Sequence, residues 1–268
     1  MNVYAVSLIA GNEFYKMIRN PLTWFGLIIA FALASIHALG YTVFLPSVES
    51  EMHGSAFIIG MGNSVSYTSL ITTFLALSVG IFTMSGERSN SSIRVLLTKP
   101  VYRRDVILGK IVGLGAFLSL MVLIIVTLSV SSILVSYGGP GSSDILERII
   151  FYGLILIANS ILTLGIAVLI GLVFKDLSLS LIVGILYMYF SHTSEIMRVM
   201  DSSGGLLSLL NPRLLFGATM VSNGIFLFDP TIPFISWIGS SGPYIILIAV
   251  EAIAVLVICC LAFTYEEV

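Results

Sequence analysis

Long apolar runs separated by short polar breaks set the layout of this chain. Six of the runs read as helices that cross a bilayer, since the hydrocarbon layer of about 30 Å takes roughly 20 helical residues to span. They are Leu22 to Leu45, Ser64 to Ser85, Val106 to Tyr137, Arg148 to Phe174, Leu177 to His192 and Pro243 to Phe263. Ahead of them, in residues 2–20, Val3, Val6, Ile9, Ala10, Phe14, Met17 and Ile18 recur at intervals of three and four. Asn12, Glu13, Lys16 and Arg19 stand between them, which predicts an amphipathic helix too charged to span and suited to the membrane interface.

The breaks differ from one another. Pro46 to Asn63 carries Glu49, Glu51 and His53 without Lys or Arg and reads as a polar loop. Gly138 to Asp144 is turn-rich. Residues 193–235 are mixed, with charges scattered among apolar patches and Asn211-Pro212 interrupting them, and are expected to be broken helices dipping partly back into the layer. The break at 86–105 is different: an island holding Glu87, Arg88, Arg94, Lys99, Arg103, Arg104 and Asp105, followed closely by Lys110.

Composition agrees with this pattern. Hydrophobic residues make up 57% and charged ones 10%, against about 25% charged in a soluble domain. The fold class is therefore all-α, a polytopic membrane protein read as a single transmembrane domain over 1–268. Lys16, Arg19, Arg88, Arg94, Lys99, Arg103, Arg104, Lys110 and Lys175 account for nine of the twelve Lys and Arg. Six spans place all nine on one side, so both termini and the island are expected in the cytoplasm. No basic patch with interleaved aromatics points to nucleic acid. Cys259 and Cys260 are adjacent in an apolar run, and the three histidines lack metal-ligand spacing.

Catalytic motifs are missing too. A phosphate loop needs GxxxxGK[ST], but the Gly109-Lys110 pair has Arg104 and Ile111 at the outer positions. The chain reads as a transport subunit and not an enzyme, with no cofactor of its own. Glu251 is the acid well inside an apolar run and is by default a functional candidate. With Asn159 and Asn211 it makes up the candidate substrate path. A hydrogen bond between Glu251 and a group such as Asn159 is the structural alternative.

Within the island, Ser91 or Ser92 can cap a short helix ending before Pro100. Ile93, Leu96 and Leu97 share its apolar face, while Arg94 and Lys99 lie elsewhere. Asp105 is placed to cap the helix that follows. Either a ridge for a partner's groove or a charged loop that only fixes topology satisfies these features. The island resembles the signature of permease subunits of the second, exporter-type family of ABC transporters. The match covers Gly86-Glu87-Arg88, Leu96-Leu97, Pro100-Val101, Arg103-Arg104-Asp105 and Gly109-Lys110. Lys16, Arg19 and Pro21 resemble that family's interfacial connecting helix, and Leu210-Asn211-Pro212 with Leu215-Phe216 its Ser-Pro motif.

The resemblance implies a coupling helix within Glu87 to Arg104 that docks on a separate ATPase subunit, where ATP and Mg are held. It also implies two copies of each subunit, here as a permease homodimer, in the plasma membrane of a prokaryote. Ser89-Asn90-Ser91-Ser92 departs from the more charged run usual there, and the tail is acidic instead of basic. A stand-alone ion- or proton-coupled secondary transporter is the alternative reading, which would rest on Glu251 and lacks a visible internal repeat.

Overall fold

A computed structural model describes residues 3–44, 53–89, 103–137, 144–174, 176–192 and 211–265. Their helices are α1 (Val3–Arg19), α2 (Pro21–Phe44), α3 (His53–Ser89), α4 (Arg103–Tyr137), α5 (Asp144–Val173), α6 (Leu177–His192), α7 (Pro212–Met220) and α8 (Phe234–Tyr265). A two-stranded hairpin, β1 (Val221–Ser222) and β2 (Ile225–Phe226), lies between α7 and α8. Among the described residues, four stretches are long and apolar enough to cross a membrane: 57–86, 104–136, 144–173 and 234–263. Thr23–Ala32, within α2, and α6 are shorter apolar stretches.

Two cores are stacked along the bundle. At one end, Met17, Met84, Ile107, Leu114, Leu164, Val168, Cys259 and Phe263 gather around the start of α4. At the other end, Phe57, Met61, Val126, Val130, Tyr152, Leu215, Phe216 and Trp237 gather around the start of α5. Neighbouring helices thus run in opposite directions past one another. Between helices in lipid there is little hydrophobic driving force, so close van der Waals approach at small residues does the work. A Cβ added at Gly80 of α3 would stand 2.5 Å from the Cβ of Ala167 on α5, and one at Gly165 of α5 would stand 2.6 Å from Val255 on α8.

Three stretches depart from the sequence reading. The segment read as a polar loop up to Asn63 is helical from His53, because Phe57, Met61 and Val65 at spacings of four turn into the core. The last helix starts at Phe234, nine residues before Pro243, which sits inside it. Its first turns are held from the side: Trp237 Nε1 and Ser241 Oγ donate to the Thr219 carbonyl at 3.1 and 3.0 Å, and Ser222 Oγ donates to the Ser240 carbonyl at 3.0 Å. These anchors offset the helix bond that a proline cannot donate. Of the 193–235 segment, residues 193–210 lie outside the described residues. The rest is α7, then the hairpin and turns, instead of broken helices throughout.

The hairpin is dictated by Asn223-Gly224, whose φ values of 51° and 77° are those of a two-residue turn that glycine and asparagine tolerate. Arg148 of α5, 2% exposed, stitches this segment down. Its guanidinium donates to the carbonyls of Leu227 and, at 2.6 Å, Ile232, and lies over the Phe234 ring. In the turn that follows the hairpin, the Asp229 carboxylate accepts from the Thr231 hydroxyl at 2.6 Å and its N–H at 2.9 Å. Those bonds, with a smaller contribution from the Arg148 charge, hold the Asp229 carboxyl below the usual carboxylate range.

If the glycine contacts set the helix spacing, Gly80→Val should lower stability by about 1–3 kcal/mol through overpacking. Gly153→Ala, where a Cβ meets nothing within 4 Å, should shift it by no more than about 0.5 kcal/mol. Thermal unfolding in detergent, followed by tryptophan fluorescence, distinguishes the two.

Candidate functional site

The island begins on the last turn of α3 and ends on the first turn of α4. Gly86, Glu87 and Arg88 continue the α3 backbone, while Ile93, Arg94, Leu96, Leu97, Lys99 and Pro100 lie outside the described residues. Arg103 opens α4, and Arg104 beside it is exposed. Asp105 falls inside the first turn, not before it, and is 2% exposed. A carboxylate there still faces the positive end of the helix dipole.

One turn further, α1 is seated on α4. Gly109 and Gly113 form the seat: a Cβ at Gly109 would stand 2.8 Å from Ile9 Cβ, and one at Gly113 would stand 2.4 Å from the Ala10 carbonyl oxygen. The spacing of four residues places both glycines on one face of α4. At Gly115, two residues further on, a Cβ would meet nothing within 4 Å. Beside the seat, Lys110 Nζ donates to Glu13 Oε1 at 2.7 Å, with side-chain exposures of 4% and 6%. Glu13 Oε2 is buried without a hydrogen-bond partner.

This changes the reading of α1. The sequence pattern puts Glu13 on the polar face, whereas the fold buries it with Ala10 and Met17. The reason is Lys110, which supplies a counter-charge that no periodicity within α1 reveals. Val3, Tyr4 and Leu8 are exposed in its place, and the Arg19 guanidinium lies 4.3 Å above the Tyr15 ring. The end of α1 is tied to α2 through Thr23 Oγ1 and Trp24 Nε1, which donate to the carbonyls of Met17 and Ile18 at 2.6 and 3.1 Å. The first turn of α2, all of α1 and the start of α4 are therefore joined by named bonds.

The three residues read as a substrate path lie on three elements. Asn159 of α5 is 2% exposed and its Oδ1 has no hydrogen-bond partner. Glu251 of α8 is half-buried, with Tyr187 of α6 as its electrostatic neighbour. No hydrogen bond joins it to Asn159 among the described residues. Asn211 is engaged as the cap of α7, its Oδ1 accepting from the Arg213 N–H at 3.0 Å. The structure adds polar groups that periodicity did not single out: Thr68 of α3 hydrogen-bonded to Tyr152 of α5, and Ser85 of α3 to Ser180 of α6 at 2.8 Å. Each is a hydroxyl in an apolar run, a type that bonds across helices.

The family model described as ABC-2 family transporter protein matches residues 7–266 of the chain, from within α1 to the end of α8. No curated protein matches it.

Removing one partner of a buried pair strands the other charge, so Lys110→Met should cost about 3–5 kcal/mol. Joint replacement of the pair by apolar residues, Glu13→Leu with Lys110→Met, should cost distinctly less than Lys110→Met alone. Comparing the unfolding free energies of the single and double variants checks this, and additive losses would mean that the pair is not coupled.

Proposed function

The chain belongs to the ABC-2 transporter family, and we propose that it is the membrane-spanning permease subunit of an ATP-driven exporter. The match of the family model along nearly the whole chain carries this reading. In the proposal, α2, α3, α4, α5, α6 and α8 are the six spans, and both termini face the cytoplasm of a prokaryotic cell. A separate ATPase, holding ATP and Mg, docks on the 86–105 segment, with Ile93, Leu96 and Leu97 inserted and Arg94, Lys99, Arg103 and Arg104 around them. Two copies of this chain work with two of the ATPase by alternating access, and the path between the copies includes Glu251 and Asn159.

Several observations favour this coupling route. The 90–102 stretch is bounded on both sides by helices that continue into the core near Met84 and Ile107. Displacement of a docked segment therefore acts on α3 and α4 directly. Through the Gly109–Gly113 seat and the Glu13–Lys110 bond it also acts on α1, and so on the start of α2. The exposed Arg104 offers a cation to an acidic partner surface.

A tagged chain, solubilised from its native membrane in a mild detergent, is expected to bring down an ATPase that carries a phosphate loop. Leu96→Asp or Arg94→Glu should abolish that recovery while the permease keeps its own thermal transition. Recovery at normal yield from both variants would refute the docking. Transport by the purified chain alone in liposomes, driven by an ion or proton gradient, would replace the exporter with a secondary transporter.

A further inference from the structure

At the bundle end opposite Lys110, a cation stands without an acid among the described residues. Arg213 lies in the first turn of α7, partly buried, with its guanidinium 5.7 Å from the centre of the Phe216 ring. The groups that share its field are the Tyr152 hydroxyl and the His192 ring, and no carboxylate among the described residues does. Tyr152 is already engaged with Thr68. His192 Nδ1 lies 3.0 Å from Ser191 Oγ and 3.3 Å from the Met188 carbonyl, whereas Nε2 is buried with no partner. Three elements, α3, α5 and α6, thus bring polar groups toward a guanidinium on α7 that has, among the described residues, none of the carboxylate partners such a group normally requires when it leaves water.

Depth identifies the missing anion. α6 has 16 residues, about 24 Å of helix, so as a span that starts at one edge of a hydrocarbon layer of about 30 Å it carries its last turn close to the other. Tyr189 and Phe190 in its last turns are 61% and 53% exposed, as aromatic side chains are at the headgroup level. Arg213 lies in α7, which packs against α6, and its charge reaches the His192 ring at that end of the helix. A guanidinium presents a planar fork that matches the oxygens of a phosphate, and the N-terminal end of α7 adds its own favourable dipole.

We propose that Arg213, with His192 nearby, binds the phosphate of a phospholipid headgroup at the end of the bundle away from the island. The lipid completes the site by supplying the anion that neutralises Arg213. The inference rests on the membrane placement of the chain and is independent of which partner drives it, so failure of ATPase recovery leaves it standing.

The full chain, purified and delipidated in a neutral detergent, is titrated with dioctanoyl phosphatidylglycerol, dioctanoyl phosphatidylcholine, dioctanoylglycerol and inorganic phosphate while its thermal midpoint is read. Phospholipid at about ten times its Kd is expected to raise the midpoint by about 3 °C, and dioctanoylglycerol is expected to leave it unchanged. Arg213→Gln should abolish the shift, and Arg213→Lys, which keeps the charge but not the fork, should retain a reduced one. A shift with phosphatidylglycerol alone supports the proposal and restricts it to net-anionic headgroups. An equal shift from dioctanoylglycerol, an unchanged shift in Arg213→Gln, or an equal shift from inorganic phosphate overturns the lipid assignment. If Arg213→Gln is too unstable to titrate, Arg213→Lys decides: a full shift overturns the proposal, and a reduced one supports it. Finally, no phospholipid response in the unmodified chain, with Glu195→Gln or Asp201→Asn as destabilising as Arg213→Gln, would show that Arg213 is paired within the chain.

Discussion

A buried ammonium must have its counter-charge within a bond length or two, and the Lys110–Glu13 contact at 2.7 Å meets that requirement between two helices far apart in sequence. Because both side chains are almost inaccessible, the pair can form only if α1 lies directly on α4. Gly109 and Gly113 make that approach sterically possible. Electrostatics and sterics thus impose the same arrangement, and neither would suffice alone: the glycine seat without the pair would fix spacing but not register. Thr23 and Trp24 then transfer the position of α1 to α2. The arrangement of the helices nearest the island follows from this contact.

The opposite end of the bundle meets the same demand with different partners. Arg148 has no acid bonded to it among the described residues but finds the carbonyls of Leu227 and Ile232. These belong to a segment of turns whose backbone groups have no helix to satisfy them, so one buried guanidinium settles both its own donors and two orphan acceptors. Trp237 and Ser241 share the Thr219 carbonyl for the same reason, at the end of α7. Irregular backbone is tolerable at this depth only where side chains close its bonds. Arg213 is the place where that closure stops among the described residues.

Much of the fold was legible because apolar run length is a strong signal. The runs at 64–85, 106–137, 148–174 and 243–263 fall on the four stretches that are long and apolar enough to cross a membrane. What escaped had identifiable causes. Glu49, Glu51 and His53 give the whole 46–63 break the look of a polar loop, although Phe57, Met61 and Val65 already have helical spacing. Pro243 has the look of a boundary in sequence, yet cross-bonds to the preceding turn let the helix pass through it. Asn223-Gly224 was a readable hairpin signal hidden in a segment interpreted through its charges. Glu13 could not have been placed by any periodicity, since its burial depends on a residue 97 positions away. The GK of the island signature was visible in sequence, but its role as the seat and tether of α1 needed coordinates.

The two ends of the molecule therefore differ in kind. Near the island, helices meet through a charge pair and at glycines, where a gap of about 0.5–1 Å already forfeits roughly a quarter to a half of the contact energy. Such contacts move together or break, and they suit a region that, in the proposed coupling, carries a push from a partner without absorbing it. α8 offers the contrast: Ile246, Val250, Ile253, Val257 and Leu261 are all more than half exposed, and its contacts with α5 run through Gly165 and Cys259 along one side. Glu251 stands at the edge of that open face. A carboxyl at such a place is costly against lipid, so the face beside it calls for a protein neighbour or a hydrated path. Both are what a permease working as a pair of copies would supply there, and a helix wholly enclosed by its own chain could offer neither.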